Sequence, residues 1–146
     1  MLFRSNGIFL EESVLSELRP GSDRINRVHV SVDAGDAETY ALVRGGDWRR
    51  LERNLRWTSG ERKRGRFESF VLLFVYRREN FRSMPAFARL GAELGADAVH
   101  FSPVQSWERA HLDYERTAVH LATHPEHSEF AEIREKVIRC EGVTLS

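Results

Sequence analysis

Apolar and polar positions repeat along this chain with two different periods. Residues 10–18, LEESVLSEL, set Leu10, Val14, Leu15 and Leu18 at helical spacing, and Arg19-Pro20-Gly21 stops that helix. Residues 26–33, NRVHVSVD, alternate instead. Val28, Val30 and Val32 point to one face of a strand, and His29, Ser31 and Asp33 to the other. Ala34-Gly35-Asp36 turns the chain, and Asp36 caps a short helix through Tyr40 and Val43. Gly45-Gly46 interrupts it. Asp47 caps a second helix with Trp48, Leu51 and Leu55 on one stripe. The run from Phe70 to Tyr76 is continuously apolar, which predicts a strand buried on both faces. Ser83 caps another helix, with Pro85 in its first turn and Phe87, Leu90 and Leu94 on its inner stripe; Gly95 ends it. Residues 97–104, DAVHFSPV, form one more short strand. In the tail, residues 128–139 are helical, with Phe130, Ile133 and Val137 in phase. At the other end, Leu2-Phe3-Arg4 is a short strand before the turn Ser5-Asn6-Gly7.

Strands alternating with helices predict an α/β fold with a parallel sheet and right-handed crossovers. About four strands are expected, too few for a closed eight-stranded barrel. The sheet is therefore open, or part of a barrel. Composition agrees with one folded domain: 146 residues, 41% hydrophobic and 30% charged. Lys plus Arg number 22 and so do Asp plus Glu, so no net field draws the chain to nucleic acid or an anionic membrane. No apolar run approaches the length of a membrane span, and acidic Glu11 and Glu12 follow too few apolar residues for a signal peptide. The single cysteine, Cys140, excludes an internal disulfide and a multi-cysteine metal site, and a cytoplasmic setting is expected.

In parallel α/β proteins the chemistry collects at the C-terminal ends of the strands. That selects Ser31 and Asp33, then Tyr76, Arg77 and Asn80, then Ser102 and Gln105. Ser31 and Asp33 share a face and can accept from ligand hydroxyls, while Arg44 can pair with a carboxylate. The same short polar residues also cap strand-to-helix turns, which is the competing reading. His111, His120, His124 and His127 crowd the tail. The four-residue spacing of His120 and His124 suits a metal on a helix, but Pro125 breaks that helix, so no metal is assigned and solvent-exposed histidines are expected. ERKRGR at 61–66 reads as a solvated loop. His29 and His100 lie in strands as hydrogen-bonded residues that can face a barrel lumen. Trp107 can shape a cavity or cover the barrel end.

Several stretches, in order, resemble the radical S-adenosylmethionine enzyme family. VHVSVDAGDAETYALVRGGDWRRLERNL is similar to the family's fourth strand and following helices, with Ser-x-Asp, Glu-Thr-Tyr and Arg-Gly-Gly. LFRSNGIFL is similar to its third-strand end, usually Thr-Asn-Gly, with Ser5 in place of Thr. FVLLFVYRRENF resembles its fifth strand, and FARLGAELGADAVHFSPV its fifth helix and sixth strand.

The resemblance covers residues 2–105 and implies a partial barrel of which the first two βα units are missing from this sequence. On this reading residues 1–105 are a half-barrel and residues 106–146 a C-terminal helical extension. It also implies contacts to S-adenosylmethionine: Ser31 and Asp33 to its methionine or ribose part, Arg44 to its carboxylate, and Tyr76 and Val104 along its adenine. The family's three-cysteine loop for a [4Fe–4S] cluster is not here, and Cys140 cannot replace it. Weak cofactor binding without radical chemistry is therefore expected of this chain, the cluster belonging to full-length family members. The alternative is a cluster-free interaction module or pseudo-enzyme, and a third option is an unrelated α/β fold. A second copy is expected to cover the open sheet edge, with Phe70, Leu72, Phe74 and Phe101 exposed on the inner face. The rival expectation is that the tail plugs that face with Phe130, Ile133 and Val137.

Overall fold

The computed structural model describes residues 1–11, 13, 25–106 and 111–146. Five strands run parallel in one sheet, in the order of the sequence. They are β1 (Leu2–Ser5), β2 (Arg27–Ser31), β3 (Ser69–Tyr76), β4 (Ala98–Pro103) and β5 (Val143–Leu145). Helices α1 (Ala37–Arg44) and α2 (Trp48–Lys63) join β2 to β3, and a 3-10 turn (Phe81–Ser83) with α3 (Met84–Leu94) joins β3 to β4. Helices α4 (His111–Thr117) and α5 (His127–Val137) lead to β5. Residues 12 and 14–18 of the helix expected over residues 10–18, and Trp107, lie outside the described residues. Among the described residues no helix is long and apolar enough to cross a membrane.

Strands paired in sequence order by right-handed crossovers send every connecting helix to the same side of the sheet. The burial pattern agrees. Val28, Val30, Phe70, Leu72, Phe74 and Phe101 are fully buried, while their strand neighbours His29, Ser31, Val71, Leu73, Val75 and His100 are half-buried. Cross-strand register puts those neighbours in rows on the uncovered face. Arg4, His29, Val71 and Ala98 form one row, and Ser31, Leu73, His100 and Thr144 the next.

Three expectations are corrected by this arrangement. The run at 70–76 is buried on one face, not two, because no layer covers the other. Phe70, Leu72, Phe74 and Phe101 are not an exposed patch; they are the floor beneath the helices. Phe74, Phe87 and Phe101 meet there with ring centroids 5.0 to 5.7 Å apart. Phe130 and Val137 are buried, and Ile133 packs against the same core on the helix side, so the tail does not plug the open face. Phe130 instead lies on Tyr76 at 5.0 Å and Phe81 at 6.1 Å. The tail also contributes more than helix, since β5 extends the sheet beside β4.

Close approach sets two glycines. A Cβ on Gly91 in α3 would strike the Val99 side chain, and one on Gly35 would strike the α3 backbone at Phe87. Both let α3 sit tightly on the sheet and on the loop that follows β2. The basic stretch after Trp57 is less free than a solvated loop. Arg62 pairs with both oxygens of Asp97, Arg64 and Arg66 pair with Glu61, and Arg66 stacks over Trp57.

A candidate site at the C-terminal ends of the strands

The loop after β2 is built around Asp33, the one described non-glycine residue with positive φ, at 60°. Aspartate tolerates this left-handed conformation better than most residues. Its carboxylate then ties three elements together. Oδ1 accepts from Val75 N of β3 at 2.8 Å, and Oδ2 accepts from Arg44 Nη2 at the end of α1 at 2.5 Å. Its carbonyl accepts from Asn80 Nδ2 at 3.0 Å. Asn80 is fully buried; it also donates to Val75 O at 3.0 Å and accepts from Arg77 N at 2.8 Å. Asn54 does the same for the turn after β1, donating to Gly7 O and Ile8 O at 2.9 and 2.8 Å.

Asp36 anchors the start of α1. It accepts from Thr39 N, Thr39 Oγ1 and Ser83 Oγ at 2.8, 3.0 and 2.7 Å. Burial alone would raise its carboxyl group, but those hydrogen bonds outweigh burial and hold it below the usual carboxylate range. At the other end of α1, Gly45 adopts φ 66° and closes the helix on Tyr40 O and Ala41 O, which fixes the base of Arg44.

Between these loops lies a cleft of about 280 Å³, lined by Asp33, Val43, Arg44, Val75, Arg77 and Val104. It is smaller than most small-molecule sites, which begin at about 300 Å³. Arg77 reaches Val43 O at 3.4 Å and Glu79 at 3.6 Å, both long contacts. Arg44 keeps a third of its side chain exposed beside Asp33. The cleft therefore presents two guanidinium groups and one carboxylate already engaged by one of them. Such a set suits a ligand carboxylate or phosphate.

Three of the five residues selected from sequence meet here: Asp33, Arg44 and Val104. Ser31 lies on the open face, in the row with Leu73 and His100. Tyr76 is on the opposite face, buried against Phe130 and His120, and burial raises its phenol. It does not line the cleft. Arg77, selected from the sequence as a strand-end residue but given no ligand contact, lines the cleft as well. Val43 and Val75 were not selected.

A larger cleft of about 490 Å³ lies between Arg78, Arg116, His124 and Glu126. Arg78 is already paired with Glu126, and His124 is spent on backbone groups of Arg116 and Glu126. The tail histidines are not a solvent-exposed group. His124 is 7% exposed, His127 meets Val119 O, and His120 meets Tyr114 Oη. Among the described residues no three metal-binding side chains come together.

No family model matches the chain, and neither does any curated protein.

Proposed function

We propose that this chain supplies the later βα units of a radical S-adenosylmethionine barrel and holds the amino-acid end of S-adenosylmethionine at Arg44. The observation that supports this reading is the position of the Asp33–Arg44 pair. It sits at the C-terminal edge of a parallel sheet whose helices all lie on one side, leaving the other side open as a barrel lumen would be. Arg44 would take the ligand carboxylate with the N–H groups that Asp33 leaves free, and Val104 and Val75 would flank its apolar part.

A [4Fe–4S] cluster does not fit the residues present. Cys140 is one exposed thiol beyond α5, far in sequence from Asp33 and Arg44, and such a cluster is held by several cysteine thiolates. No bond cleavage is assigned to these residues. Without a cluster iron as anchor, affinity for S-adenosylmethionine no better than about millimolar, near −4 kcal/mol, is expected. Titration calorimetry on the wild type and on Arg44→Gln tests the site. Weak binding that Arg44→Gln weakens about tenfold supports it. Micromolar binding indifferent to Arg44→Gln rejects it.

The second reading, an interaction module, draws on the half-exposed Val71, Leu73 and Val75 and on the outer edge of β1, where Leu2 is 43% exposed. Unpaired edge groups recruit another strand, and a second copy is the simplest donor. Sedimentation across a range of concentrations separates a dimer from a monomer.

A further inference from the structure

The uncovered face of the sheet carries an unbalanced charge. Arg4 of β1 stands directly across from His29 of β2, on strands about 4.8 Å apart. Arg27 lies two residues before His29 and so on the same face, and His100 occupies the next row on β4. Between them the face offers Val71, Leu73, Ala98 and Ser31, none of them charged. Burial, Arg4, Arg27 and His100 all push the His29 imidazole below its ordinary value, and no carboxylate acts in the other direction.

Many arginines elsewhere in the described chain are paired. Arg44, Arg50, Arg56, Arg62, Arg64, Arg66, Arg78 and Arg82 each lie against a carboxylate. Among the described residues, Arg4 and Arg27 have no carboxylate within ion-pair distance, as is also true of Arg49, Arg53, Arg89, Arg116 and Arg139; what sets Arg4 and Arg27 apart is their place on one sheet face beside His29. Glu68, beside the start of β3, is held by Asn26 at 3.1 Å instead. His29 Nδ1 is itself shielded from solvent and has no hydrogen-bond partner. In a chain of equal positive and negative count, this is a local departure. Clustered cations around a shielded imidazole cost free energy until an anion arrives, and a desolvated anion gains from each of them.

We infer that the open face binds a small molecule through an anionic group, phosphate or carboxylate, held by Arg4, Arg27 and His29, with Val71 and Leu73 against its apolar body. The site is centred on the Arg4–His29–Val71 row, with Arg27 one row to one side and Leu73 one row to the other. It lies in the middle of the strands, apart from the Arg44 cleft, and stands whether or not that cleft takes S-adenosylmethionine.

The experiment follows the imidazole Cε1–H resonances of His29 and His100 in the full chain by NMR at constant ionic strength. Inorganic pyrophosphate is the probe in one arm and tricarballylate in the other. Binding protonates His29 more readily, so its apparent pKa rises and affinity strengthens as pH falls. Arg4→Gln, at an exposed position, weakens binding about tenfold, whereas Arg139→Gln at the exposed end of the tail does not. A response to pyrophosphate alone assigns a phosphate, to tricarballylate alone a carboxylate, and to both an anion read by charge. Unmoved His29 resonances in both arms, or equal shifts in Arg4→Gln and wild type, overturn the inference. S-adenosylmethionine affinity is measured in the same Arg4→Gln protein and is expected unchanged, so the two sites succeed or fail separately.

Discussion

The two faces of one sheet differ more than any two helices of this molecule. On the covered face, Val28, Val30, Phe70, Leu72, Phe74 and Phe101 lose all contact with water. On the open face, their immediate sequence neighbours are half-buried valine, leucine, serine and histidine and the exposed Arg27. The same backbone carries both, and the side chains differ by a single step along the strand. Stability therefore resides on one side, and the proposed recognition on the other. The covered face excludes water from close-packed rings; the open face leaves cations and hydroxyls available to a ligand.

The largest effect that would break this comparison is on the covered side. Phe74→Ala removes a ring that touches both Phe87 and Phe101. Truncation of a buried phenylalanine costs about 3–5 kcal/mol, a large part of the about 5–15 kcal/mol that holds a domain together. Urea denaturation followed by circular dichroism checks it. A loss below about 1 kcal/mol would mean that the core is not packed around Phe74.

Next in size is the seam where the two faces meet the candidate site. Asn80→Ala leaves Asp33 O, Val75 O and Arg77 N without their buried partner. A loss of about 1–3 kcal/mol is expected, the cost of orphaned buried groups. Because Asn80 holds the Asp33 backbone, the same variant should weaken any ligand of the Arg44 cleft while leaving anion binding at His29 intact. Calorimetry with both ligands reads that difference.

How far the sequence reveals this division depends on where its pattern has phase. In NRVHVSVD the valines alternate with polar residues, so the inner and outer sets are legible at sight. In FVLLFVY every position is apolar, and nothing marks which set turns inward. That is why Phe70, Leu72 and Phe74 were expected on the open face, and why Tyr76 was selected for the site although it points to the helices. Asp33 was selected because strand ends collect polar groups whatever the parity, and Arg44 because it follows just downstream; Val104 was selected only through the resemblance. Their mutual geometry was not legible: the Asp33–Arg44 ion pair spans a helix and depends on the left-handed turn at Asp33. The three-residue strand β5 carries no periodic signal at all, and only its pairing with β4 defines it.

Acid should erode both faces, through different histidines. Burial, then His127, lowers His120 in the covered layer, and burial with its cationic neighbours lowers His29 on the open side. A folded-state value below the unfolded one means that the unfolded chain binds more protons. Stability is then complete above the unfolded histidine value, about 6.5, and falls as pH drops through it. Denaturant midpoints across that window should decline, and His120→Gln and His29→Gln should each flatten the slope. The anion proposed for the open face should flatten it too, by restoring the His29 value, and should do nothing to the His120 part. A slope unchanged in both variants would show that neither ring is held neutral by the fold.

The smallest expected effect sharpens the comparison most, because it uses two adjacent leucines. Leu72 is fully buried under α3, and Leu73 stands half-open between Ser31 and His100. Threonine suits a strand at either place, being β-branched. At position 72 its hydroxyl enters a layer of valine and phenylalanine, and Leu72→Thr should lose at least about 1–3 kcal/mol for that group in addition to the lost methylene contacts. At position 73 the hydroxyl reaches water or the neighbouring Ser31, and Leu73→Thr should fall within about 0.5 kcal/mol of wild type. Paired urea titrations decide it. Equal losses at the two positions would mean that the open face is covered in solution, by a second copy or another chain. In that event the midpoint of Leu73→Thr should shift with protein concentration, whereas a monomer with a free face gives the same midpoint at every concentration.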